Sequence, residues 1–282
     1  MRRLLITGAS GFLGSRIIEY YRDRYEICAP SHKEMDITDR EQVLAVFHGF
    51  KPQIVIHSAA ISDVGMCERE PDRSRRSNID GSRNIAEASA KLRAKFLFCS
   101  SDQVYFGSRI QGPHREDERV VPLNVYGKEK LTAEEECLKQ NPECTALRLS
   151  WMYDTRTLRE GEHGDFLRTL ALRLRTPDIL SYPVNDVRGI TDVNEVVRNL
   201  EKCAELKGGI YNFGSPNDKN TYETVFDMFR ELGWDTMRLR KDEESFREAP
   251  RDISMDQKKL NDGGITFPAT LESLIRNGGN II

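Results

Sequence analysis

The sequence predicts an α/β fold: a doubly wound parallel sheet over residues 1–150, then a smaller mixed lobe over 151–282 that also returns elements to the sheet. Three observations carry this. Short, continuously apolar runs recur through the first half, helical patterns separate them, and a glycine-rich turn directly follows the first run. Continuous apolar runs suit strands buried on both faces, and alternation with helices suits parallel pairing through crossovers. A chain of 282 residues is long enough for a sizeable core.

Taken in order, "RLLIT" (3–7), "YEICA" (25–29), "QIVIHS" (53–58), "KFLFCS" (95–100) and "TALRLS" (145–150) read as strands. "TDREQVLAVFHGF" reads as a helix capped by Thr38, with Glu41 three residues on and Val43, Leu44, Val46 and Phe47 on one side. "EPDRSRRSNIDGSRNIAEASAKL" supplies a second helix and "NVYGKEKLTAEEECLKQ" a third, the latter stopped by Asn141-Pro142. Beyond 150, "DTRTLREGEHGD" is a polar loop, "FLRTLALRLR" a helix and "GIYNFG" (209–214) a late strand.

Net charge is −3 with acids and bases mixed throughout, which argues against a nucleic-acid partner. The basic run "DRSRRS" at 72–77 reads as a solvated helix face. At the N-terminus only four apolar residues precede Thr7, too few for a secretory core or a membrane span, so the expectation is a cytoplasmic protein without membrane association. Six cysteines without a C-x-x-C pair predict buried free thiols, and five scattered histidines predict no metal site.

The first motif is "LLITGASGFLGSRII", where Gly8, Gly11 and Gly14 stand between a strand and the opening of a helix. Glycines there permit a tight turn and close approach of a pyrophosphate to a helix N-terminus, with Ser10, Phe12 and Leu13 completing the loop. About 20 residues on, an NAD site would present a carboxylate to the adenosine ribose. Ser31, His32 and Lys33 stand there instead and predict NADP(H) over NAD(H), although Glu34 follows them. The second motif is Tyr126 with Lys130. Four apart on a helix, they share a face with Cβ atoms about 6 Å apart. A nearby ammonium would lower the phenol pKa from its usual value of about 10 and suit Tyr126 to proton exchange near neutrality.

The G-x-x-G-x-x-G spacing and Y-x-x-x-K pair resemble the extended short-chain dehydrogenase/reductases, which implies a Rossmann-type fold. "SSDQVYFG", "PLNVYGKEKL", "LRLSWMYD" and "HGDFLRTLALRL" most resemble the dTDP-4-dehydrorhamnose reductase family within that group. The resemblance implies that Ser101 holds the substrate carbonyl, Tyr126 exchanges the proton and Lys130 binds the nicotinamide ribose, with Ser100 structural. It places Asp36 and Ile37 along the adenine and Ser58, Ala59 and Ala60 beside the cofactor. It further assigns Asp102, Gln103, Trp151 and Arg188 to the substrate side, Arg188 toward a nucleotide-sugar diphosphate, with the C-terminal lobe binding substrate. Gln103, Tyr105-Phe106, Asp165 and Asp192 depart from the family patterns. Gln103 stands where related dehydratases carry a glutamate base, and an amide cannot take that proton. The expected activity is therefore NADPH-dependent reduction of a 4-keto nucleotide sugar by a homodimer. Two alternatives stay open: a nucleotide-sugar epimerase, and a non-catalytic dinucleotide-binding regulatory subunit resembling methionine adenosyltransferase β.

Overall fold

The computed structural model describes residues 1–158, 162 and 164–279. Its strands are β1 (Arg2–Thr7), β2 (Tyr25–Cys28), β3 (Ile54–His57), β4 (Lys95–Ser101), β5 (Thr145–Leu149) and β6 (Trp151–Tyr153). Then follow β7 (Leu180–Pro183), β8 (Asp186–Val187), β9 (Ile190–Asp192), β10 (Gly209–Phe213), β11 (Leu239–Asp242) and β12 (Arg251–Asp252). The helices are α1 (Phe12–Tyr21), α2 (Arg40–Phe50), α3 (Val64–Arg69), α4 (Pro71–Arg75), α5 (Ser82–Lys91) and α6 (Val125–Gln140). After them come α7 (Phe166–Leu174), α8 (Val193–Cys203), α9 (Thr221–Glu231), α10 (Lys258–Asp262) and α11 (Thr270–Gly278).

One six-stranded sheet has the order β10-β5-β4-β3-β1-β2, with β1 parallel to β2 and β3, and β3 parallel to β4. The strands are the five expected from the apolar runs and the late strand expected at 209–214, to within a residue or two at their ends. The order reverses at β1, since the chain goes first to β2 on one side and then to β3 on the other. Such a switch point leaves a crevice outside the carboxyl ends of the strands. There the segments after Thr7 and His57 become neighbours although 50 residues separate them.

Two compact units divide the chain. Met1–Val104, Pro122–Arg148 and Val197–Tyr211 form the first, and its core packs Val43 and Phe47 of α2, Ile85 and Ala88 of α5 and Ala133 and Cys137 of α6 with Leu5, Val55, Phe96 and Phe98 of the strands. Tyr105–Val121, Leu149–Val196 and the chain from Asn212 onward form the second, whose core joins Tyr153, Phe166, Leu170, Leu180, Val225, Phe229 and Leu274. All six cysteines are free thiols, and all but the half-buried Cys28 are buried. Among the described residues no helix is long and apolar enough to cross a membrane.

Two local expectations are corrected. Asp39, not Thr38, caps α2: its carboxylate accepts from the N–H groups of Glu41 and Gln42, while Thr38 donates to Asp36. A carboxylate at the N-cap combines the hydrogen bonds with a favourable charge on the helix dipole. The stretch read as one helix from Glu70 is broken into α4, a π-helical turn at Arg76–Gly81, and α5. At the end of the π-helical turn a Cβ on Gly81 would meet the Ile37 side chain at 2.7 Å, so glycine leaves room for that neighbour.

Strands β1 and β3 are joined to α5 through a buried imidazole. His57 Nδ1 lies 2.6 Å from Thr7 Oγ1, its Nε2 lies 3.0 Å from Ser82 Oγ, and its ring stacks on Phe98. Burial drives its pKa down to about 3, with the Lys130 charge adding to the effect. The unfolded chain therefore binds the extra proton between about pH 6.5 and 3, so stability falls as pH falls through that window. Full expression is about 1.4 kcal/mol per pH unit. Urea midpoints measured from pH 7 to pH 4 should fall less steeply in His57→Asn than in the unsubstituted protein; equal slopes would mean that His57 takes up a proton within the fold.

Candidate active site

The glycine loop owes its shape to two close approaches. Gly8 has φ +70°, and a Cβ there would lie 2.6 Å from the Ala59 nitrogen, so the turn needs glycine for both conformation and space. A Cβ on Gly14 would strike the Gly8 carbonyl oxygen, which itself accepts from the Gly11 N–H at 2.9 Å. Helix α1 begins at Phe12 without a side-chain cap on Gly11 and without an acidic residue in its first turn. No carboxylate of its own first turn counters the positive end, which suits a pyrophosphate. The cradle fits a dinucleotide.

Beyond β2, Ser31, His32 and Lys33 are exposed. Glu34 does not point its carboxylate outward alone, since the Ser31 N–H and hydroxyl both donate to it, at 2.7 and 2.8 Å, and lower its pKa. Asp36 accepts two bonds from Thr38, and Ile37 is fixed through its carbonyl by Asn84 at 3.0 Å. Beyond β3, Ser58 donates its hydroxyl to the Thr7 carbonyl at 2.8 Å and the Ala59 N–H reaches Thr7 Oγ1 at 3.3 Å. With Ala60 half-buried beside them, these residues carry the Gly8 turn on their backbone.

Helix α6 brings Tyr126 and Lys130 to the end of β4. Asn124 caps the helix, accepting from the Gly127 N–H at 2.6 Å, and its amide donates to Gln103 Oε1 at 2.9 Å. Gln103 is thereby tied to the helix start, and its N–H donates to Ser101 Oγ at 3.2 Å. The Ser101 hydroxyl is 3.3 Å from the buried Asp102 carboxylate. Lys130 Nζ donates to the Cys99 carbonyl at 2.7 Å and lies 4.6 Å from the Phe98 ring centroid.

The expectation that Lys130 lowers the Tyr126 pKa is overturned. Burial pushes the phenol up, a hydrogen bond with Ser101 counters it only partly, and Asp102 raises it further. Lys130 Nζ sits 6.0 Å from the centre of the Tyr126 ring, and burial lowers its own pKa as well. Desolvation disfavours both charged forms. Tyr126 is therefore held as a neutral phenol.

Sequence reading missed the support beneath these groups. Glu134, one helical turn beyond Lys130, is fully buried and accepts from Ser100 Oγ at 2.5 Å. Arg148 at the end of β5 forks onto the same carboxylate, at 3.0 Å through Nε and 2.8 Å through Nη2. The available signal was the spacing: Tyr126, Lys130 and Glu134 recur every fourth residue, so one face of α6 carries all three.

In the second unit, Trp151 pairs with Ile190 where β6 and β9 run parallel. That register sets Arg188, two residues earlier, with its guanidinium 4.9 Å over the Trp151 ring, and Phe166 meets the same ring edge-on at 5.5 Å. Asp165, the departure from asparagine, caps α7 and pairs with Arg168 at 2.6 Å. Residues 159–161 and 163 of the expected polar loop lie outside the described residues.

Compared with known proteins, residues 1–275 match the family described as RmlD substrate binding domain. The dTDP-4-dehydrorhamnose reductase of Aggregatibacter actinomycetemcomitans is 32% identical over 241 residues, covering 82% of this chain and 79% of that one. The methionine adenosyltransferase 2 subunit beta of Pongo abelii is 25% identical over 279 residues, covering 94% and 83%. Among solved structures, dTDP-4-dehydrorhamnose reductase from Bacillus anthracis in complex with NADP superposes with a TM-score of 0.84 at 26% identity, covering 98% of each chain.

Breaking the buried pair from one side should be costly. Arg148→Met leaves the Glu134 carboxylate buried with Ser100 alone and should lower stability by about 3–5 kcal/mol, read as a urea midpoint. Adding Glu134→Leu should recover most of the loss, because the orphaned charge goes with it.

Proposed function

Because this chain belongs to the RmlD substrate binding domain family, we propose that it is an NADPH-dependent reductase of a 4-keto nucleotide sugar, with a dTDP-linked deoxyhexose as the substrate class. The observation that carries the reading is the neutral, buried Tyr126 beside Ser101 at the carboxyl end of β4. Reduction of a ketone needs a hydride at carbon and a proton at oxygen. Bound NADPH supplies the hydride, and becomes NADP⁺.

The proton comes from the protein. Ser101 donates to the substrate carbonyl oxygen and polarises it, and Tyr126 gives its phenolic proton to the oxygen as negative charge develops there. Lys130, held on the Cys99 carbonyl, places the nicotinamide ribose and offers a positive charge once the phenol is spent. Gly8, Gly11 and Gly14 with Ser10, Phe12 and Leu13 receive the pyrophosphate, Asp36 and Ile37 the adenine, and Ser58, Ala59 and Ala60 the nicotinamide side. Asp102 and Gln103 border the sugar; Trp151 and Arg188 serve the nucleotide end, where a guanidinium suits a diphosphate.

The NADPH preference rests on the loop after β2. Ser31 donates twice to one oxygen of the Glu34 carboxylate, and exposed beside it stand His32 and Lys33, the groups with which the loop would meet a 2′-phosphate. A homodimer in the cytoplasm completes the proposal. The likeness to methionine adenosyltransferase 2 subunit beta keeps a regulatory reading in view, but the complete Ser101, Tyr126 and Lys130 set favours chemistry.

The decisive assay follows NADPH absorbance with enzymatically generated dTDP-4-dehydrorhamnose. Tyr126→Phe should lower kcat by at least about 100-fold while the NADPH Kd stays nearly constant; undiminished turnover would remove Tyr126 from the mechanism. NADPH that binds without being consumed would move the reading to the epimerase or to the regulatory subunit. Replacing Lys33 with glutamate should raise the KM for NADPH about tenfold and leave that for NADH nearly unchanged, whereas an equal effect on both cofactors would remove the 2′-phosphate assignment.

A further inference from the structure

Glu129 stands on α6 between Tyr126 and Lys130, yet the mechanism above gives it no part. It is 5% exposed. Both its oxygens are engaged: Ser74 Oγ donates to Oε1 at 2.5 Å, and Asn78 Nδ2 donates to Oε2 at 2.7 Å. A carboxylate so enclosed is tolerated only because donors meet it.

Asn78 passes the connection on. It is fully buried, and its side chain brackets one backbone residue, accepting from the Ile61 N–H at 2.8 Å and donating to the Ile61 carbonyl at 3.0 Å. Ile61 closes the segment that contains Ser58, Ala59 and Ala60. The opposite end of that segment leads back to the same residue, because His57 meets Ser82 Oγ at 3.0 Å and Ser82 donates to the Asn78 carbonyl at 2.7 Å. Asn78 lies within the π-helical turn at Arg76–Gly81, whose extra residue departs from α-helical spacing. Such turns recur at functional sites.

We propose that Glu129 is a positioning residue that, through Asn78, holds the 58–61 loop in register with Tyr126 and Lys130 on α6. This rests on the reductase reading. The loop beside the cofactor and the helix carrying the proton donor then answer to one hydrogen-bonded chain, so a shift in either is transmitted to the other.

The test compares Asn78→Asp, Glu129→Gln and the two together. Asn78→Asp turns the donor facing Glu129 into an acceptor and sets two carboxylates against each other; Glu129→Gln in the same chain returns a donor to the pair. The readouts are the NADPH Kd by fluorescence, kcat, and the primary isotope effect with NADPH deuterated at the transferred position. Asn78→Asp should weaken NADPH binding about tenfold, lower kcat about 100-fold and enlarge the isotope effect. The paired variant should regain at least about tenfold in kcat. If Asn78→Asp does not fold, Glu129→Met, which removes both acceptors without adding a charge, should change Kd and kcat about tenfold each.

Folded variants that keep Kd and kcat within about threefold of the unsubstituted protein would overturn the inference, as would a paired variant no better than Asn78→Asp. A chain that fails to oxidise NADPH with the keto sugar before any substitution would instead overturn the reductase reading. The Kd series would still decide whether Glu129 positions the loop.

Discussion

The burial of the Tyr126, Lys130 and Glu134 face of α6 against the end of β4 is the constraint from which the candidate site follows. An ammonium and a carboxylate taken out of water lose several kcal/mol each unless partners are in place. Here the partners are parts of the sheet: the Cys99 carbonyl receives Lys130, and Arg148 with Ser100 receives Glu134. The helix cannot rotate without orphaning one of them. Tyr126 is therefore set opposite Ser101 by the partners of its helix neighbours.

The same burial decides the protonation state. A lysine one turn away argues for phenolate, and desolvation argues for phenol; with Nζ 6.0 Å from the ring centre and itself buried, desolvation prevails. A neutral phenol is the form that a ketone reduction consumes. The departure at Gln103 has a related explanation. Its side-chain oxygen accepts from the Asn124 amide at the start of α6, which ties the position to the helix cap without requiring a group that can take a proton.

The parallel order of the first four strands does the rest of the assembly. Since β2, β1, β3 and β4 are neighbours, the segments after Thr7, Cys28, His57 and Ser101 emerge at one edge of the sheet. Gly8 then packs against the Ala59 backbone, and a buried neutral imidazole between Thr7 and Ser82 keeps β1 and β3 at that spacing. The likeness to reductases of the RmlD family over 275 residues is a likeness of this arrangement, carried at an identity of about one residue in three or four.

Much of this was legible beforehand. Continuous apolar runs located five of the six sheet strands because a strand buried on both faces cannot alternate polar residues, and the glycine spacing located the turn after β1 because only glycine tolerates φ +70° with a backbone 2.6 Å from where Cβ would stand. Tyr126 and Lys130 were legible from helical periodicity. Thr38 was misread as a cap because Thr38 and Asp39 carry equivalent local signals, and only the path of the chain into α2 separates them. The His57 bridge, the Glu129–Asn78–Ile61 chain and the choice of Arg148 as the partner of Glu134 had no sequence signature, since each joins residues from 14 to 55 positions apart. The amino-acid sequence by itself determined the main sheet strands and helices, the glycine turn and the Tyr126–Lys130 pairing on one helix face, all of which act over a few residues. Tertiary structure alone decided the protonation of Tyr126 and the partners of the buried charges, because desolvation depends on what lies around a group in space, not on what adjoins it in the chain.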